Sequence, residues 1–244
     1  MSYPKASVLI IGNEILSGRT QDQNLQYIAK SLLEKGIEVA EARTISDIES
    51  EIIDHVRILS QKYDFLFTTG GIGTTHDDIT TAAIAKAFGR QLISHPAIME
   101  KLHLVTKFDP NLEKLALIPK GVDVSLIQNE VTEIPSFRIQ NVFVLAGMPD
   151  VMRSMMNATL NMIPSYPPFF STQLDFKIPE SILANEMADL EKNNPELTIG
   201  SYPYYRDSVL GVNVVLKGRD QSLIKKVADQ LKILAHEKLT KYET

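Results

Sequence analysis

Thr68-Thr69-Gly70-Gly71-Ile72-Gly73-Thr74-Thr75-His76-Asp77-Asp78-Ile79-Thr80-Thr81 carries most of the information in the chain. The apolar run Phe65, Leu66 and Phe67 precedes it and reads as a buried strand. That strand stops at Gly70-Gly71, and a helix is predicted from about Asp78 to Phe88, ending at Gly89. Strand, glycine-rich turn, then helix is the repeating unit of an α/β fold. Such a turn lets backbone N–H groups approach an anion, and the helix N-terminus adds the positive end of its dipole. Gly70, Gly71, Gly73, Thr74 and Thr75 are therefore the candidate ligand-binding residues, the threonine hydroxyls donating to phosphate oxygens. Asp77 and Asp78 admit three readings. They cap the helix, they hold a divalent metal on a bound phosphate, or one accepts paired hydrogen bonds from the N–H edge of a pterin or purine.

Outward from this segment, strands and helices alternate. Val8 to Ile11 is a β-branched and leucine run, the pattern of a strand buried on both faces. Leu25, Ile28, Ala29, Leu32 and Leu33 form one helical stripe, with Gly36 as its stop signal. Ile37 to Ala40 reads as a second strand. Ser46 with Glu49 reads as a capping box before a helix facing inward through Ile52, Val56 and Leu59. A further helix is predicted over Ala97 to Lys107, with Ile98, Leu102 and Val105 inward. Val142 to Leu145 is another strand, and Pro149 suits the first position of a helix running towards Met162. The fold class is thus α/β, a mostly parallel sheet covered on both faces. Ligands on such sheets bind at the carboxyl ends of the strands. Gly12-Asn13-Glu14, Gly70 to Gly73 and Gly147-Met148-Pro149-Asp150 all lie there.

The loop Gly12 to Thr20 fails as a Walker phosphate loop, having five residues between Gly12 and Gly18 and then Arg19 instead of Lys. It keeps one acid, Glu14, and one cation, Arg19; read structurally, it is a turn before a helix capped by Asp22 or Asn24. The five histidines show no metal spacing, and only His76 falls in the candidate loop. Met148, Met152, Met155, Met156 and Met162 read as helix core.

Pro164-Ser165-Tyr166-Pro167-Pro168 breaks the pattern, giving expected domains at 1–163 and 173–244. The second has a βαββα order: strand Gln173 to Lys177, helix Ser181 to Lys192, strands Leu197 to Ser201 and Val209 to Leu216, helix Gln221 to Leu239. It is a small α+β subdomain. Tyr202-Pro203-Tyr204-Tyr205 reads as a turn with edge aromatics, the alternative being a platform for a flat ring.

Composition narrows the function. With 44% hydrophobic and 23% charged residues, global disorder is excluded. The absence of cysteine removes disulfides, zinc–thiolate sites, iron–sulfur clusters and cysteine nucleophiles. A net charge of -5 argues against a general grip on nucleic acid. No apolar run is long enough to span a bilayer, and Ala6 to Ile11 is too short for a secretory signal. The expectation is a cytoplasmic protein with neither nucleic acid nor membrane as partner.

The run Gly70 to Thr80 resembles the signature of the MoaB/Mog molybdopterin-binding domain family in its CinA (competence/damage-inducible protein A) form. Ile11 to Gly18, with Asn24 after it, resembles the family's first loop, and Phe137 to Pro149 its later strand–turn–helix. The tail, including Ile199-Gly200-Ser201-Tyr202-Pro203, resembles stand-alone members similar to the molybdopterin-binding half of FAD synthases. The resemblance implies a three-layer αβα, Mog-like sheet and a homo-oligomer. It implies a small-molecule ligand, molybdopterin or a nucleotide pyrophosphate. It adds Gly12, Ser17, Asn24, Asp47, Gly147 and Pro149 to the ligand-binding residues, Asp47 and Asp78 falling where Mog-type proteins carry their two functional aspartates. The activity it implies is metal-dependent cleavage of a pyrophosphate of the FAD or ADP-ribose class. Mg, Mn or Co would sit on Asp77 and Asp78, with Asp78, Asp77 and Glu14 as the catalytic residues. The alternative is a non-hydrolytic molybdopterin-binding module of molybdenum cofactor biosynthesis. Thr74, Ser136 and Ala146 stand where the family usually has Pro, Gly and Pro.

Overall fold

A computed structural model of the chain describes residues 3–105, 110–206 and 209–242. The predicted helix end at Lys107 and the inward side chain of Val105 lie outside the described residues. The chain divides into two compact units, one up to Tyr166 and one from Pro167.

The first unit runs β1 (Lys5–Ile11), α1 (Asn13–Leu16), α2 (Asn24–Glu34), β2 (Glu38–Ile45), α3 (Glu49–Lys62), β3 (Phe65–Thr69), α4 (Thr80–Ala87) and β4 (Leu92–Ser94). It continues with α5 (Pro96–Val105), a 3-10 helix (Pro110–Ala116), β5 (Leu117–Pro119), β6 (Val124–Ile127), β7 (Ser136–Ile139), β8 (Val142–Leu145) and α6 (Pro149–Leu160). Six strands form one sheet in the order β2-β1-β3-β8-β7-β6. β2, β1, β3 and β8 are parallel, while β7 and β6 add antiparallel pairings.

β1 accounts for the three layers. Its side chains alternate between faces, and both faces are apolar. Ala6, Val8 and Ile10 pack with Ile28 and Leu32 of α2 and with Met152, Met155 and Met156 of α6. Leu9 and Ile11 pack with Ile52, Val56 and Leu59 of α3, Ala83 and Ile84 of α4, and Ile98 of α5. Each fully buried Leu or Ile contributes roughly 1.5–3 kcal/mol. Phe67 and Phe143, opposite each other in the β3–β8 register, stack with centroids 5.0 Å apart. From β1 the chain goes to β2 on one side and then to β3 on the other, so a topological switch point opens between the carboxyl ends of β1 and β3.

The second unit runs β9 (Phe170–Phe176), α7 (Glu180–Asn193), β10 (Leu197–Arg206), β11 (Val209–Gly218) and α8 (Gln221–Tyr242). The strands form an antiparallel sheet ordered β10-β11-β9. Leu174, Val212, Val214 and Leu216 bury one face of it against Leu183 and Met187 of α7 and Ile224, Val227 and Leu231 of α8. Among the described residues no helix is long and apolar enough to cross a membrane.

Several expectations need correction. The Ser46–Glu49 capping box does not form: the Ser46 carbonyl accepts the Ile48 N–H, and α3 starts after Ile48 with no side-chain cap. α4 starts at Thr80 with Ile79 at its cap position, two residues beyond the expected Asp78. β2 extends to Ile45, well past Ala40. Tyr202 to Tyr205 lie inside β10 and make no turn; Pro203 is tolerated because β10 is an edge strand. Met148 leaves the methionine core and is 63% exposed.

One ionic cluster fixes the edge strand β2 to α3. The Glu41 carboxylate accepts hydrogen bonds from Lys62 Nζ at 2.7 Å, the Tyr63 hydroxyl at 2.6 Å and Arg43 Nε at 2.6 Å. These donors, Lys62 first, hold its carboxyl down at about 2 against an ordinary 4.5. A depressed folded-state value contributes stability that is complete above 4.5 and is lost as pH falls through about 2. Glu41→Gln should lower the urea midpoint at pH 7 and flatten its decline across that acid window. The difference should shrink in high salt, because the cluster is solvent-screened. Urea titrations of both proteins at stepped pH measure this, and parallel acid profiles would contradict it.

Candidate functional site

Loops after β1, β3 and β8 converge on Gly70. Its φ is +103°, in the left-handed half of backbone space. A Cβ there would lie 2.1 Å from the Ile11 carbonyl oxygen, so the turn after β3 rests directly on the end of β1. On another side, Gly147 approaches so closely that a Cβ on it would meet Gly70 Cα at 3.3 Å. Gly71 follows with φ +68°, and a Cβ on it would lie 2.3 Å from the buried Thr80 hydroxyl. The Thr80 N–H donates to the Gly71 carbonyl at 2.9 Å, tying α4 back to the turn.

Asn24, at the start of α2, ties these loops together. It is 6% exposed; its Nδ2 donates to Thr69 Oγ1 at 2.8 Å and to the Gly147 carbonyl at 2.9 Å. The Thr69 hydroxyl in turn donates to the Ala146 carbonyl at 2.8 Å. Asn24 Oδ1 is buried and has no protein partner. Its predicted role as a helix cap is not observed: Gln23 occupies the cap position, and Asp22 accepts the N–H groups of Asn24 and Leu25.

In the outer part of the turn, Thr75 is the centre. Its hydroxyl lies 2.5 Å from Asp77 Oδ1 and 2.6 Å from Asp78 Oδ2, and its N–H donates to Asp78 Oδ2 at 2.8 Å. A hydroxyl has one proton, so it satisfies one of these carboxylates at a time. The Thr75 hydroxyl and then the N–H of Asp77 itself hold the Asp77 carboxyl below the usual range, and His76 and Lys114 add to this. Asp78 is therefore a turn-closing residue and not a helix cap. Its carboxylate lies against Gly73, Oδ2 being 2.6 Å from where a Cβ would stand. No protein acceptor takes the N–H groups of Gly71, Gly73 or Thr74 among the described residues. Lys114, which sequence reasoning missed, reaches in from the 3-10 helix to donate to the Thr75 carbonyl at 2.5 Å. Nothing local to Lys114 signals this contact across 39 residues.

In the first loop, α1 gives one turn of helix where a plain loop was expected. Asp47 Oδ2 accepts the Asn13 N–H at 3.1 Å, and Gly12 N–H donates to the Ile45 carbonyl at 3.1 Å. Glu14 folds back over Gly12, where a Cβ would lie 2.6 Å from its Oε1. Ser17, exposed, donates to the Glu14 carbonyl at 3.2 Å. Pro149 opens α6 as expected. The fold thus brings Gly12, Asn24, Gly70, Gly71, Gly147 and Pro149 to one sheet end, with Gly73, Thr74, Thr75, Asp77 and Asp78 in the turn above α4. Asp47, Glu14 and Ser17 belong to the neighbouring first loop. Among the described residues no group of three or more His, Asp or Glu is arranged to hold a metal ion, so Glu14 does not complete a cluster with Asp77 and Asp78.

Residues 7–165 match the family described as probable molybdopterin binding domain, and residues 168–243 match the FAD synthase middle domain. A protein of Archaeoglobus fulgidus is 32% identical over 231 residues, which span 95% of this chain and 98% of that protein. A CinA-like protein of Thermosipho melanesiensis is 28% identical over 246 residues, 97% of this chain but 59% of that relative's length. The crystal structure of the protein CinA, of unknown function, from Thermoplasma acidophilum superposes with a TM-score of 0.61 at 29% identity, over 66% of this chain and 99% of that one.

Gly70→Ala should test the convergence of the loops. It forces a side chain into the left-handed region and against the Ile11 carbonyl, together costing roughly 2–5 kcal/mol. Urea unfolding should register a loss of that size. A loss under about 1 kcal/mol would mean that the β1 and β3 loops separate easily.

Proposed function

We propose a function from one premise: the chain belongs to the probable molybdopterin binding domain family in its CinA-like form, followed by a unit of the FAD synthase middle domain kind. On this reading the three-loop site binds a nucleotide pyrophosphate of the FAD or ADP-ribose class and hydrolyses it with a divalent metal. The observation that carries the reading is the pair Asp77 and Asp78 set on a single Thr75 proton beside backbone N–H groups free of protein acceptors.

Two carboxylates and a hydroxyl fit a Mg²⁺-like ion, which takes one or two carboxylates and completes its shell with substrate phosphates and water. Asp77 and Asp78 would hold it; bound there, it would supply Lewis-acid polarisation of a phosphoryl oxygen. The rest falls to the chain. Gly71, Gly73 and Thr74 offer N–H groups to the phosphate oxygens, and Lys114 adds positive charge at the same turn. Water adds to one phosphorus, the P–O–P bridge breaks, and the bridging oxygen leaves with its electron pair on the other phosphate. Glu14, folded over Gly12 at the switch point, takes the proton of the attacking water. Asp77, held below the usual carboxylate range, remains charged and does not donate a proton. Homo-oligomerisation and a cytoplasmic setting are part of the same proposal.

A second reading has its own support. With no group of three or more metal-binding side chains among the described residues, the same cradle suits a binder of molybdopterin that does not hydrolyse it.

Asp78→Asn separates structure from chemistry. Asn still accepts the Thr75 N–H, so stability should stay within about 0.5 kcal/mol. Turnover of ADP-ribose or FAD with Mg²⁺, Mn²⁺ or Co²⁺ should fall at least about tenfold, roughly 1.4 kcal/mol. Wild-type protein that turns over neither substrate with any of these metals sinks the hydrolase reading. A thermal shift with molybdopterin alone would then support the second one.

A further inference from the structure

Arg19, in the first loop, stands apart among the eight arginines of the chain. The other seven each meet a carboxylate, a backbone carbonyl or an aromatic ring. Among the described residues nothing meets the Arg19 guanidinium, which belongs to an exposed residue. Acids lie nearby, yet each is turned elsewhere. Glu14 folds back over Gly12, Asp22 accepts the N–H groups of Asn24 and Leu25, and Asp47 accepts that of Asn13. In a chain of net charge -5, an arginine with all its N–H donors and no acceptor is out of character.

The backbone around Arg19 is fixed although its side chain is free. The Ser17 N–H donates to the Asn13 carbonyl at 2.9 Å, the Gly18 N–H to the Ile15 carbonyl at 3.1 Å, and the Thr20 N–H to the Glu14 carbonyl at 3.0 Å. Gly18, with φ +71°, turns the chain just before Arg19. Thr20 is thereby held beside α1 at the end of β1, while Asn24 beyond it is tied to Thr69 and Gly147 at the ends of β3 and β8. Arg19 therefore lies on the segment that carries the chain across the switch point. Lys114 reaches the turn after β3 from the other layer. Leu112 and Leu115 of its 3-10 helix pack in the core with Leu9 and Ile11, whereas Ile15 and Leu25, on either side of Arg19, pack in the core with Val8 and Ile10. The two cations flank the sheet end from opposite layers, Lys114 engaged with the Thr75 carbonyl and Arg19 free.

A phosphoryl group on the N–H groups of Gly71, Gly73 and Thr74 sits at the end of β3. The first loop follows β1, the neighbouring strand, and paired strands lie about 4.7–4.9 Å apart. A second phosphoryl group, joined through a bridging atom, makes a step of that order. A guanidinium fork matches two phosphate oxygens at once. We propose that Arg19 holds the second phosphoryl group of a diphosphate ligand and so selects diphosphates over monophosphates at the three-loop site. The proposal rests on the reading of that site as a phosphate cradle.

The test compares two probes that differ by one phosphoryl group, adenosine monophosphate and α,β-methylene adenosine diphosphate, each with Mg²⁺. The methylene bridge resists hydrolysis, so amide NMR of the full ¹⁵N-labelled chain reads binding alone. Both probes should shift amides at 70–75, and only the diphosphate should also shift those at 17–20. Arg19→Gln should raise the Kd for the diphosphate at least about tenfold, roughly 1.4 kcal/mol, and leave that for the monophosphate unchanged. Its urea midpoint should match wild type, because the side chain it replaces has no partner among the described residues. An unchanged diphosphate Kd, an equal loss for both probes, or a lowered urea midpoint would each overturn the proposal while leaving the cradle standing. A wild-type chain whose 70–75 amides respond to neither probe would overturn the cradle itself, and the proposal with it.

Discussion

The absence of a side chain at Gly70 is the constraint on which the first unit's site depends. The Ile11 carbonyl presses on it from the end of β1, and Gly147 presses from the end of β8. Only because these backbones touch can Asn24 reach both Thr69 and Gly147 with one amide nitrogen. The turn that follows inherits its position from that contact. Gly71 settles on the Thr80 hydroxyl, α4 begins, and Thr75 is held where it meets both aspartates. Removing the close approach would leave each loop intact and the arrangement gone.

The sheet supplies the rigidity this needs. β1 and β3 are covered on both faces by apolar helices, and the Phe67–Phe143 stack joins β3 to β8. The carboxyl ends of parallel strands therefore cannot drift, although the loops on them are polar and partly exposed. The candidate site sits on the side of the fold where rigidity and exposure meet.

Much of this was legible in the residues. Strong periodicity located β1, α2, α3 and α6, since a long apolar stripe leaves few alternatives. β2 came out short because it is an edge strand: Glu41 and Arg43 break the apolar signal while pairing with each other. β4 to β7 have three or four residues each, too few for any period to register, and they went unread. The Tyr-Pro-Tyr-Tyr segment looks like a turn locally, yet pairing with β11 overrides that preference. The glycine turn and the aspartate pair were visible, but the separation of Asp78 from the helix cap was not. That depends on the backbone of Ile79, which takes the cap position itself. Lys114 had no sequence signal, because its partner is a backbone carbonyl, which every residue carries.

Asn24 also bears on synthesis. Its two partners lie 45 and 123 residues further along the chain. Before the segment ending at Gly147 has left the ribosome, its amide has at most one of them, and the Gly70 N–H lacks the Leu145 carbonyl that it finally meets at 3.3 Å. β8 must insert between β3 and β7, so the three loops meet only near the end of the first unit's translation. A nascent chain released early would have most of the first unit's helices and lack this convergence of loops. The arrangement around Gly70 thus forms only once the sheet has been completed.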